Sequence, residues 1–112
     1  MDHIVGPTPG KPGEFDRHTY LVLYNIPPAT TSIPKSVSGV GLFGINTVNR
    51  RTSYSPPCSA GAGIKLYTLT VYALSTEPTL TVSQSAVTRE ILLAAINNIT
   101  LGQAAINVNY TK

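Results

Sequence analysis

The sequence lacks several features on which common classes of protein depend. It has no tryptophan, a single cysteine, and only 12% charged residues, about half the usual share. One cysteine cannot form an internal disulfide, so the fold does not depend on oxidation. The scarcity of charge argues against a coiled coil, a solvated helical rod and a charged disordered tail. No apolar run approaches the ~20 residues that a membrane span needs.

The rest of the composition is that of one small, mildly basic domain. The chain has 112 residues, of which 42% are hydrophobic, and this is enough for a single domain with its own core. Among the eight basic residues only Arg50 and Arg51 are adjacent, whereas nucleic-acid binders cluster their positive charges. The first residues have neither the basic flank nor the apolar stretch of a signal peptide. We therefore expect a cytoplasmic domain that spans no membrane and binds no nucleic acid.

The pattern along the chain predicts an irregular start followed by a β domain. Residues 1–16 are rich in Gly and Pro and show no periodicity, so we predict an irregular N-terminal arm there. Residues 17–112 are predicted to form a single domain. Its first strand is expected at Thr19–Ile26, where apolar residues throughout suggest cover on both faces. Residues 29–63 then form a long loop with one short apolar piece at residues 40–45, and a loop of this length is often functional.

The second half of the chain carries the clearest periodic signals. Ile64–Leu74 consists largely of good strand formers and predicts a long strand. Apolar residues at helical spacing predict a helix at Ala86–Asn98, with Ser85 or Thr88 as its N-cap. Gln103–Tyr110 alternates and predicts a closing strand with one apolar face. The order strand, long loop, long strand, helix, strand predicts a mostly β domain with one peripheral C-terminal helix.

The residues that could support metal binding or catalysis are few. A zinc site needs several closely spaced Cys and His ligands, whereas this chain has one Cys and two His, His3 and His18. A nucleophilic Cys58 with His18 as its base is one hypothesis, since a thiolate needs a nearby imidazole. Cys58 follows two prolines in a predicted turn, and the sequence does not bring His18 beside it. We predict no catalytic residue, no metal site and no cofactor.

Several segments share their order and spacing with the motifs of one known family. They are Leu21–Pro27, Gly44–Thr47 leading to Tyr54–Cys58, Tyr67–Leu74, Thr88–Ile96 and Gln103–Ala105. Together they resemble the phosphatidylethanolamine-binding protein family, in particular its bacterial and archaeal Raf-kinase-inhibitor-like branch. The resemblance runs from Thr19 to Lys112. It implies an antiparallel β-sandwich of that type with one peripheral helix, in an N-terminally shortened and divergent form.

The resemblance also implies a ligand site. Family members bind anionic head groups such as phosphate in a small pocket, whose two histidines align here with Tyr20 and Lys65. The Pro-rich loop of the pocket aligns with Pro56 and Pro57, and the family's Asp-Pro-Asp-Ala-Pro motif is absent. We therefore expect the usual pocket to be altered or lost. In the altered form, Lys65 holds an anion as a point charge while Tyr20 and Tyr67 donate hydroxyls. In the alternative, both tyrosines pack in the core and Lys65 is solvated.

Two functions follow as competing hypotheses. The first is a non-enzymatic domain that binds a small anion or a phospholipid head group. The alternative is a structural or interaction protein that self-associates through its shortened sheet as a homodimer, because exposed sheet edges and apolar surfaces favour pairing with another copy.

Overall fold

A computed structural model describes residues 1–5, 16–35, 38–57 and 64–111 of the chain. Within these ranges, six strands and one α-helix form the regular structure, together with a 3₁₀ turn at Gln84–Ala86. They are β1 (Asp2–Val5), β2 (Asp16–Thr19), β3 (Leu23–Tyr24), β4 (Leu42–Phe43), β5 (Ile64–Leu74), α1 (Arg89–Ile96) and β6 (Thr100–Thr111). The mostly β class with a single helix is confirmed.

The strands form two antiparallel sheets. The larger has the order β2-β1-β5-β6, and the smaller consists of β3 and β4. The longest ladder of the larger sheet joins β5 to β6. It runs from the pair Ile64 and Thr111 to the pair Leu74 and Thr100, with one irregularity between Ala73 and Leu74. The antiparallel pairing agrees with the sequence analysis, whereas the packing of two sheets into a sandwich stays a prediction.

The elements of the second half form close to where their patterns predict them. β5 has the predicted bounds, Ile64–Leu74, because β-branched and aromatic residues suit a pleated surface. The helix is shorter than predicted and begins after Thr88, whose hydroxyl accepts a hydrogen bond from the Ile91 N–H at 3.2 Å. This is an N-cap, and it selects Thr88 over Ser85.

The prediction of an irregular N-terminal arm was wrong for Asp2–Val5. These residues form β1, which lies between β2 and β5 and pairs Asp2 with Thr68. Four residues are too few to show a periodicity, and the pairing that stabilises them comes from strands elsewhere in the chain. Asp16, the last residue of the predicted arm, begins β2, and residues 6–15 of the arm lie outside the described residues.

The predicted strand Thr19–Ile26 is interrupted. β2 ends at Thr19 and β3 comprises only Leu23 and Tyr24. Between them the chain bonds to three different segments: the Tyr20 N–H donates to the Met1 carbonyl, the Tyr20 carbonyl accepts from Ser55, and the Val22 carbonyl accepts from Gly44. No single neighbouring strand runs beside this segment, so it does not form one continuous ladder.

One asparagine organises part of the long loop. Asn46 is fully buried, and its Oδ1 accepts hydrogen bonds from the N–H groups of Val48 and Asn49 at 2.9 and 3.0 Å. Its Nδ2 donates to the carbonyls of Arg51 and Ser53 at 3.1 and 2.9 Å. A side chain that mimics backbone partners in this way closes a turn. The segment 46–53 is therefore ordered although it contains no strand or helix.

The core is small and lies around the smaller sheet and the first half of β5. Its buried apolar residues are Tyr20, Val22, Tyr24, Tyr67, Val87 and Ile96. Gly44 permits a close approach between two of them, since a Cβ at this position would lie 2.7 Å from Val22 Cγ1 and 2.7 Å from the Val87 carbonyl oxygen. Real Cβ atoms essentially never approach so closely, so glycine is required at this contact.

One face of the β5–β6 ladder is apolar and exposed. Cross-strand partners share a face, and this face pairs Leu69 with Ile106 and Val71 with Ala104. We define the exposed apolar face by its large exposed side chains: Leu69, Val71, Ile106, Val108 and Tyr110. On the opposite face of β6, Leu101 is exposed and the positions that follow are mostly polar. There the Thr68 hydroxyl donates to Asn107 Oδ1 at 2.9 Å.

Candidate functional site

Two of the sequence-predicted site residues are in direct contact. The rings of Tyr20 and Tyr67 meet edge to face, with centroids 5.6 Å apart and planes at 75°. Only 7% of Tyr20 and 5% of Tyr67 is exposed, so both rings pack in the core. Burial raises the pKa of Tyr20 above its ordinary value, and the nearby Tyr67 adds to the increase. Their proposed role as donors to a ligand stays a prediction.

The other predicted site residues are Pro56, Pro57 and Lys65, and each is connected to this pair through a neighbouring residue in the chain. The Ser55 N–H donates to the Tyr20 carbonyl at 3.0 Å, which holds the start of the proline segment beside Tyr20. Pro56 is exposed and Pro57 is half-buried. Lys65 is half-buried on β5, two residues before Tyr67 on the same face, and it pairs with Tyr110 of β6. The structure thus joins Tyr20 to Tyr67 directly and to the proline segment through its backbone.

The structure does not test the hypothesis that Cys58 pairs with His18. His18 is exposed on β2, opposite His3 of β1. Cys58 lies outside the described residues. The hydrolase hypothesis therefore stays a prediction. Among the residues that the structure does describe, no three His, Cys, Asp or Glu side chains come together as a metal-binding group.

A charged cluster that sequence analysis missed joins β1, β2 and α1. Asp2 Oδ2 lies 2.9 Å from Arg17 Nη1 and 3.1 Å from Arg89 Nε. The Asp2 side chain is 13% exposed, against 37% for Arg17 and 26% for Arg89. Partial burial shields these pairs from solvent and makes them stronger than ordinary surface pairs. Two guanidinium groups share one carboxylate oxygen, so the three side chains together carry a positive charge.

A cavity of about 80 Å³ opens beside this cluster. Space of this size holds several water-sized groups, because one water needs only about 10–15 Å³ of it. Its polar lining includes Arg89 and the Asp2 carboxylate from the cluster, and its remaining wall is mostly aliphatic. The lining residues are Met1, Asp2, Leu21, Val22, Leu23, Thr70, Tyr72, Arg89, Leu92 and Leu93. The cavity is therefore amphipathic, because both charged and aliphatic side chains line it.

Met1 also lines the cavity and carries a polar amino group. It donates to the Leu21 carbonyl at 2.9 Å. Burial lowers the pKa of this amino group; the neighbouring Asp2 raises that pKa and Arg89 lowers it, each by less than burial does. The amino group therefore loses its proton more readily here than it would in solvent.

One local signal for the missed cluster is present in the sequence. Arg89 lies in the first turn of α1, where the helix dipole disfavours a cation. An arginine in that position needs a compensating partner, and Asp2 supplies it. The identity of the partner could not be read from the sequence, since the two residues are 87 positions apart.

The residues of the tyrosine pair and of the charged cluster all lie within the match to one family model. The family model described as phosphatidylethanolamine-binding protein matches residues 2–111. The chain belongs to this family. The match starts at Asp2, so the family pattern includes β1 and β2, which the resemblance from Thr19 onward left out. The bacterial and archaeal Raf-kinase-inhibitor-like branch stays a prediction. Comparisons with curated proteins and with solved structures gave no match.

The helices of the described structure were compared with the length and hydropathy that a membrane span requires. Within the described part of the chain, no helix is long and apolar enough to cross a membrane.

Proposed function

We propose that this member of the phosphatidylethanolamine-binding protein family is a non-enzymatic domain that binds a small anionic ligand or a phospholipid head group in the cavity beside α1. The observation that carries the proposal is the position of Arg89, which lines an amphipathic cavity of about 80 Å³ while 26% of its side chain stays exposed. A guanidinium is suited to phosphate because its planar donors match two phosphate oxygens at once. The predicted cytoplasmic location remains part of this proposal.

Burial favours this cavity over the Tyr20–Tyr67 pair as the ligand site. The two tyrosine rings are 93% or more buried, so a ligand could reach their hydroxyls only after the core had opened. The cavity offers hydroxyls without that cost, since Thr70 and Tyr72 contribute to its lining. The predicted site residues Lys65, Pro56 and Pro57 would then support the fold around Tyr20 rather than contact the ligand.

The charged groups fit a zwitterion as well as a simple anion. Asp2 offers a carboxylate for an ammonium group, while Arg89 offers donors for a phosphate. Phosphoethanolamine carries both groups, and a diacyl chain attached to it would meet the aliphatic wall formed by Leu21, Leu92 and Leu93. The shared chemistry is a phosphate, which a free phosphate ion and a lipid head group both supply.

A titration followed by backbone amide shifts tests the proposal. The chain is titrated with inorganic phosphate and, separately, with phosphoethanolamine, both to millimolar concentration. We expect the largest shifts at Thr70, Tyr72, Arg89 and Leu93. Shifts confined to Tyr20, Lys65 and Tyr67 would move the site to the tyrosine pair. The absence of any shift with either ligand would refute head-group binding.

Matched variants separate a specific site from general charge. Arg89→Gln should weaken phosphate binding about 10- to 100-fold, because a hydrogen bond to a charged group contributes about 1.5–3 kcal/mol. Arg51→Gln removes the same charge from an exposed position in the segment 46–53 and should change binding little. Equal effects of the two substitutions would indicate nonspecific attraction.

Asp2→Asn distinguishes the two ligand sources. Removal of the carboxylate frees both arginines, so phosphate alone should bind more tightly. Phosphoethanolamine should gain less, or lose affinity, because its ammonium group no longer has a partner. Sedimentation with phosphatidylethanolamine vesicles and with phosphatidylcholine vesicles then shows whether an intact lipid is accepted.

A further inference from the structure

The exposed apolar face of the β5–β6 ladder groups five large apolar side chains on one side of two paired strands. Its members are between 40% and 64% exposed: Leu69 40%, Val71 54%, Ile106 64%, Val108 52% and Tyr110 53%. They lie on one side of two paired strands, with Leu69 opposite Ile106 and Tyr67 opposite Val108. Single exposed apolar residues are normal, but a contiguous group of this kind marks an interaction site.

The area of this face approaches what a stable dimer requires. At about 200 Å² for a whole residue, the exposed fractions of the five side chains amount to roughly 500 Å² per copy. The largest apolar patch on a typical monomer is about 300–600 Å². A standard interface buries about 800 Å² per partner. The five side chains therefore supply more than half of that area, and the flanking positions Ala73, Gly102 and Ala104 can supply more.

The charges of the face indicate which partner fits it. β6 contains no charged residue over its 12 positions, whereas exposed strands in natural proteins usually carry charges that prevent association. In β5 the single charge is Lys65, at the end of the face beside Tyr110. A charged partner would find no complementary charge at the centre. A second copy of the chain brings an equally apolar, uncharged sheet face.

We propose that this face is the interface of a homodimer in which two copies pack sheet on sheet. Antiparallel sheets pack face to face about 10 Å apart with interdigitated side chains, so each copy would cover the exposed part of the other's face, beyond the region where Tyr20 already packs against Tyr67. The face lies on the side of β5 opposite Thr70 and Tyr72, which line the α1 cavity. The dimer is therefore independent of head-group binding.

The molar mass in solution tests the dimer. Sedimentation equilibrium of the full chain from micromolar to millimolar concentration should give a mass approaching twice 11.9 kDa. A mass of 11.9 kDa at every concentration would overturn the proposal.

Two neighbouring substitutions locate the interface. Ile106→Asp introduces a charge at the centre of the face, and it should weaken the dimer at least about 100-fold, since each copy loses a buried apolar contact and buries a charge. Asn107→Asp introduces the same charge one residue later, on the opposite face of the same strand. This control should leave the dimer intact. Val71→Ser tests the same face from β5 with a milder change.

Each outcome is decisive. Loss of the dimer in Ile106→Asp and Val71→Ser, with the dimer kept in Asn107→Asp, supports the proposal. A dimer that survives Ile106→Asp would show that another surface associates. Loss of the dimer in both aspartate variants would indicate pairing of β6 edges instead of faces. Circular dichroism of each variant shows that the fold persists, and unchanged phosphate titration of Ile106→Asp would confirm that the two sites are separate.

Discussion

The two strands that flank β5 in the larger sheet differ in how they are covered. β1 lies on one side, where Asp2 joins Arg17 of β2 and Arg89 of α1. β6 lies on the other side, where every residue after Thr100 is exposed. The difference is clearest in one cross-strand pair: Tyr67 of β5 is 5% exposed, and its partner Val108 of β6 is 52% exposed.

This contrast separates pairing from packing. β6 has the longest hydrogen-bonded ladder in the described structure, yet it contributes no buried side chain to the core. Backbone pairing by itself gives a modest net stabilisation, whereas burial of apolar surface is the dominant favourable contribution to folding. We therefore expect the stability of the monomer to reside on the β1 and α1 side of β5.

Truncation of Tyr67 and of its cross-strand partner Val108 should show the largest difference in the free energy of unfolding. Tyr67→Ala removes a buried ring and should lower the free energy of unfolding by about 3–5 kcal/mol. Val108→Ala should lower it by about 0.5 kcal/mol or less, as is usual at exposed positions. Urea unfolding at one protein concentration measures both. A large cost for Val108→Ala would mean that another surface covers it, as the proposed dimer requires at higher concentration.

Addition of a methyl group at a glycine should likewise destabilise the packed region of the core more than the exposed strand β6. Gly44→Ala places a methyl group 2.7 Å from the Val87 carbonyl oxygen, which belongs to the backbone and cannot rotate away. We expect a loss of about 1–3 kcal/mol, measured as a lower urea midpoint. Gly102→Ala in β6 meets no atom within 4 Å and should be neutral or slightly stabilising. A comparable loss at both glycines would contradict the difference in packing.

Loss of the helix cap should weaken the covered side by a smaller amount. Thr88→Ala removes the acceptor for the Ile91 N–H and should cost about 1 kcal/mol. Thr88→Ser keeps a hydroxyl at the same position and should restore most of the stability. Thermal unfolding followed by circular dichroism compares the three proteins. A Thr88→Ser variant as unstable as Thr88→Ala would show that the cap hydrogen bond is not responsible.

The smallest expected effect is a loss of stability at alkaline pH. Burial raises the pKa of Tyr20 and of Tyr24 above the ordinary value of 10.0, so the folded state keeps protons that the unfolded chain has lost. The stabilisation is complete below pH 10 and disappears as pH rises through the raised pKa values.

Phenylalanine variants test the origin of this pH dependence. Tyr20→Phe and Tyr24→Phe should each reduce the alkaline loss, as measured by urea unfolding from neutral to strongly alkaline pH. An unchanged slope in both variants would assign the pH dependence to other groups.

The sequence was most informative where a long segment has one character. A segment made largely of strand formers over Ile64–Leu74 was enough to define β5, and an apolar stripe at helical spacing was enough to locate α1. Short elements could not be predicted because their partners decide them. Asp2–Val5 becomes a strand through its pairing with β2 and Thr68, and neither pairing leaves a mark in the local sequence.

The candidate site shows the same limit. The family resemblance led to Tyr20 and Tyr67, and the structure does bring their rings together. The cluster that lines the cavity was missed, because Asp2, Arg17 and Arg89 are distant in the chain and come together only when β1 joins the sheet. The apolar character of one face of β6 was predicted from the alternation of its residues. The exposure of that face was not predicted, because exposure depends on what the rest of the fold leaves uncovered.

The central position of β5 has a consequence for the order in which the chain can fold during synthesis. Both of its neighbours lie far away in sequence: Asp2 pairs with Thr68, and Ile64 pairs with Thr111. The ribosome adds about 5–20 residues per second from the N-terminus, so β1 must wait several seconds for β5, and β5 must then wait for β6. The larger sheet therefore closes only after β6 has been synthesised, and until then β5 keeps one unpaired edge.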